Sequence, residues 1–69
     1  MTKQEVAKLM HELVRGIKQD SREISKLYDE CIELFTNGES MNDKKLEIDK
    51  LESSKQKKKD LLEQLKEKN

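Results

Sequence analysis

Val6, Met10, Leu13, Ile17, Asp20, Ile24, Leu27, Cys31 and Leu34 follow one another in steps of four and three. That alternation is the heptad seam of a helix packed against another helix. Ala7, Val14, Tyr28 and Phe35 widen the seam on one side. The apolar face is therefore broader than a two-stranded zipper needs and suits a globular bundle. The spacing predicts one helix over residues 3–36. Thr2 and Glu5 have capping-box spacing at its start, and the stretch TNGES supplies a stop in which Asn37 or Gly38 takes the left-handed conformation.

After that turn Ser40 is placed to cap a second helix, over about residues 40–67. Its seam reads Ile48, Leu51, Lys55, Lys58, Leu62 and Leu65, with Met41 one heptad before Ile48. The stretch ESSKQKKKD has the composition of a disordered segment, which leaves a frayed C-terminal third as the alternative. The apolar spacing of LLEQL argues that the helix continues. Two helices joined at residues 37–39 make an all-α, antiparallel, coiled-coil-like hairpin about 45–50 Å long. The expectation is one domain over residues 1–69, completed to a four-helix bundle by dimerisation.

Asp20 breaks the first seam, and Lys55 and Lys58 break the second. Folding the chain at Asn37–Gly38 brings these three to one level, so they read as an ionic layer that fixes register. Asp20 and Glu23 also have capping-box spacing with Gly16 just before them, which would split the first helix and give a three-helix bundle. Ile17 and Ile24 stay in phase across that point, which favours a continuous helix.

A chain of 69 residues, with 43% charged and 32% apolar residues, builds only a small core. One cysteine and one histidine exclude an internal disulfide and the usual zinc spacing, and no cofactor is expected. Oligomerisation is the remaining way to gain burial. Leu9, Val14, Tyr28, Phe35 and Leu61 flank the two seams, and with Leu65 of the second seam they are the candidate surface for a second copy or for another protein. Fifteen acidic and fifteen basic residues cancel, so no overall field attracts nucleic acid or a membrane. With no apolar run of membrane-spanning length and no signal-like start in MTKQEVAK, a cytoplasmic, reducing setting is expected.

Chemistry-bearing residues are few. His11 is expected on the outer face, Cys31 in the seam, and the carboxylates on solvated faces, so the expected function is a non-enzymatic interaction or regulatory module. Lys8, His11, Arg15, Lys18 and Arg22 form a basic stripe about 20 Å long opposite the seam. It suits a phosphate backbone, making nucleic acid the second partner class. Glu5, Glu12 and Glu23 stand at distances that allow intrahelical ion pairs with it. The run Lys55, Lys57, Lys58 and Lys59 is a second local excess of positive charge.

Two short stretches resemble known families. MTKQE is similar to the start of the plasmid repressor-of-primer hairpins, whose loop falls elsewhere. EIDKL, residues 47–51, resembles the second helix of the sporulation aspartyl-phosphate phosphatases, but Lys45 and Leu46 stand where that family has its serine and glutamine. Neither resemblance transfers a function.

Overall fold

The computed structural model describes residues 2–68, which form two α-helices and, among the described residues, no strand. Helix α1 spans Lys3–Thr36 and α2 spans Asn42–Lys68. They pack against each other along their length into a rod of 53 × 14 × 12 Å. Ion pairs from Asp20 to Lys58 and from Glu30 to Lys44 run in opposite senses along the two helices, which makes the pair antiparallel.

Each end of α1 is closed by its own sequence. The Thr2 hydroxyl accepts the Glu5 N–H at 3.1 Å, and the Glu5 carboxylate reaches back to the Thr2 N–H, completing the capping box. At the other end Gly38 has φ +73°, Gly38 N–H donates to Phe35 O, and Glu39 N–H donates to Leu34 O. These are the two bonds of a Schellman motif, and its left-handed position is held by the residue that pays no Cβ penalty there.

One expectation is revised here, and one alternative is set aside. Helix α2 begins at Asn42 rather than near residue 40, because the Ser40 hydroxyl accepts from the Asn42 N–H while the Met41 carbonyl accepts the first helical bond, from Lys45. Met41 thereby turns inward onto the core. The break at residues 16–20 does not occur: α1 runs through Gly16 and Asp20 without interruption. The polar stretch of α2 is likewise helical throughout.

The buried hydrophobic residues are Val6, Ile24, Leu27, Cys31 and Ile48. Four of them, Ile24, Leu27, Cys31 and Ile48, form one cluster near the turn, with Met41 and Leu51 packed against it. Towards the open end the seam residues Met10, Leu13, Ile17, Leu62 and Leu65 are only partly buried.

Candidate interaction surfaces

Between these two ends lies the ionic layer. Lys58 Nζ donates to Asp20 Oδ2 at 2.8 Å, and the aspartate side chain is only 11% exposed. Of the two lysines expected opposite it, Lys58 alone makes the pair. Lys55 is partly buried and forms no ion pair among the described residues. Gly16, one turn before Asp20, makes room for this lysine: a Cβ at that position would sit 3.2 Å from Lys58 Cδ. The missing side chain leaves a channel along which the lysine stem crosses α1 to reach the carboxylate. Lysine suits this place because its stem can lie on apolar surface while the ammonium keeps contact with water.

A second cross-helix pair, Lys44 Nζ to Glu30 Oε2 at 3.0 Å, sits nearer the turn. The Glu30 hydrogen bond, reinforced by its charge, raises the Lys44 ammonium above its ordinary value of 10.5. The sequence signal for this pair is opposite charges at matching distances from the turn.

The six residues expected to make one apolar surface divide between two. Leu9 and Val14 are five residues apart, about 140° around a helix, and so fall on opposite flanks of the seam. Leu9 lines a groove with Leu13, Leu61, Gln64 and Leu65. Val14 lines the other flank, beside Ile17, Leu62 and Lys59. Tyr28 and Phe35 lie two and three heptads further along the Val14 column and are 52% and 71% exposed. Ile32, one turn from each, is 64% exposed and extends this patch. It lies outside the seam column, but its spacing from Tyr28 and Phe35 marks it. Leu61 is 50% exposed on the Leu9 flank, and Leu46 is exposed on the outer side of α2.

The basic stripe is present on the outer face of α1. Lys8, His11, Arg15, Lys18 and Arg22 are all exposed, and none makes an ion pair among the described residues. Glu5 is occupied at the cap, and among the described residues neither Glu12 nor Glu23 closes a salt bridge. His11, Lys8 and Arg15 border an open groove with Gln4, Ala7 and Glu12. Cys31 is a buried free thiol in the core cluster, far along α1 from His11. Among the described residues no group of three His, Cys, Asp or Glu side chains is placed to hold a metal ion, and no helix is long and apolar enough to cross a membrane.

Comparison with protein-family models, characterised proteins and solved structures finds no significant match to this chain.

Proposed function

We propose that this chain is a small, non-enzymatic interaction module that dimerises into a four-helix bundle and docks a partner protein through the apolar surface left over. The observation that carries this reading is the imbalance between inside and outside. Among the described residues five hydrophobic side chains are buried, while Tyr28, Ile32, Phe35, Leu46 and Leu61 are at least half exposed. Burying such a side chain is worth about 1.5–3 kcal/mol. Covering three or four of them contributes as much as the core of a domain this small. Sedimentation equilibrium at tens of micromolar tests the reading. A mass of twice 8.2 kDa supports it, and a fully helical 8.2 kDa monomer at all concentrations removes the dimer.

The unpaired basic stripe supports a second reading, a dimer that binds nucleic acid. Each phosphate contact steepens the salt dependence of such a complex. Replacing Arg15, Lys18 and Arg22 with glutamine should then abolish binding and flatten its salt dependence. If the triple variant binds as well as the parent, this reading fails.

A further inference from the structure

We infer that the occupant of the Val14 flank is a second copy of this chain, packed α1 on α1 and antiparallel about a two-fold axis at Ser21. This rests on the proposed dimer and assigns its face and direction. Ala7, Val14, Ser21, Tyr28 and Phe35 are spaced by heptads, the spacing that keeps residues in one column where packed helices supercoil. The column runs about 42 Å, nearly the whole of α1. Its one polar member presents no unmet donor, because the Ser21 hydroxyl donates to Ile17 O at 2.9 Å.

A two-fold interface is self-complementary: if one residue meets a second, that second meets the first. Inversion about Ser21 sets Ala7 against Phe35 and Val14 against Tyr28, a small side chain against a large one each time. The smallest pair, Ser21 with its own copy, falls at the centre, where crossing helices approach most closely. A parallel arrangement would stack Phe35 on Phe35 and leave Ala7 facing Ala7, with crowding at one end and a void at the other.

Charge agrees with shape. Ile17 and Val14 share one groove with Lys59 and Leu62, so the level of Ser21 on α2 falls near Lys55. The same two-fold therefore carries Glu52 to the level of Lys59 and Lys59 to that of Glu52. Lys59 lines the groove beside Val14, and Glu52, one heptad earlier, belongs to the same flank. Neither forms an ion pair among the described residues of the single chain, so both are available to the copy. Lys45 and Lys66 of the same heptad column oppose each other under this two-fold, but the parallel alternative would oppose like charges at all four positions.

Cysteine cross-linking separates the outcomes. Cys31 is first replaced by Ala, or by Val should Ala lower the helicity, so that introduced thiols stand alone. Ser21→Cys should then give a disulfide-linked dimer under mild oxidation. Phe35→Cys alone should not link, while a mixture of Ala7→Cys and Phe35→Cys chains should. A dimer by sedimentation in which Phe35→Cys links to itself, or in which only Leu61→Cys links, overturns the assigned face and direction but keeps the dimer. A monomer by sedimentation overturns both.

Discussion

The half of the hairpin next to the turn and the half at its open end carry the same apolar repeat in α1, yet they are packed differently. Near the turn Ile24, Leu27 and Cys31 meet Ile48, Met41 and Leu51, and the cluster closes. At the open end Val6 is buried, but Met10, Leu13 and Ile17 stay partly exposed beside Leu62 and Leu65, with apolar grooves on both flanks. The cause lies in α2, where Lys55 and Lys58 occupy seam positions and leave less apolar surface to cover α1. A seam in one helix is buried only as far as the opposing seam allows. What the second helix leaves uncovered is surface for another molecule.

Truncation should show this contrast most strongly. Ile48→Ala removes a fully packed side chain and should cost about 2–5 kcal/mol in chemical denaturation, whereas Leu62→Ala, at a half-buried site, should cost well under that. Equal losses would mean that the two halves are packed alike.

The boundary between the halves comes next. Asp20→Leu and Lys58→Leu should each destabilise by about 1–3 kcal/mol, because each leaves a charge without its partner, and the double variant should recover most of the loss. Coupling between Asp20 and Lys58 should reach about 0.5–3 kcal/mol, while Asp20 with Lys55 should be additive. Absence of coupling to Lys58 would dissolve the ionic layer.

Gly16→Ala gives a smaller and more pointed effect. Alanine improves a helix interior by about 0.5–1 kcal/mol over glycine, but here its methyl group meets the Lys58 stem. The substitution should be neutral or harmful in the parent and stabilising once Lys58 is alanine. The same sign in both backgrounds would show that the channel does not guide the lysine.

The pair near the turn should lose its contribution only in alkali. Lys44 titrates above 10.5 in the folded chain, so its contribution is complete below that pH and is lost as pH rises through the raised value. The stability gap between the parent and Lys44→Met should therefore close above pH 10.5. A gap that widens there contradicts the assigned cause.

The sequence made the helical hairpin legible because α1 signals itself three ways, through its repeat, its capping box and its glycine stop. Asp20 with a lysine opposite was legible for the same reason, since register follows once the turn is placed. The pairing of Lys58 rather than Lys55 was not, because it is a contact between residues distant in the chain, as is the packing of the Lys58 stem on Gly16. The division of Leu9 and Leu61 from Val14, Tyr28 and Phe35 was written in the helical angle, but reading the six as one surface overlooked that the seam itself separates them. The start of α2 was legible to within two residues: the Ser40 hydroxyl accepts from the Asn42 N–H, while the first helical bond goes to the carbonyl of Met41, whose side chain packs on the core.

Whether the uncovered seam is completed by a second copy can be read from thermal unfolding followed by circular dichroism across a hundredfold range of protein concentration. Folding coupled to association makes the midpoint depend on concentration, and Tm should rise by roughly 5–10 °C over that range. A cooperative transition whose midpoint stays fixed would show that the hairpin folds alone, and would contradict the account.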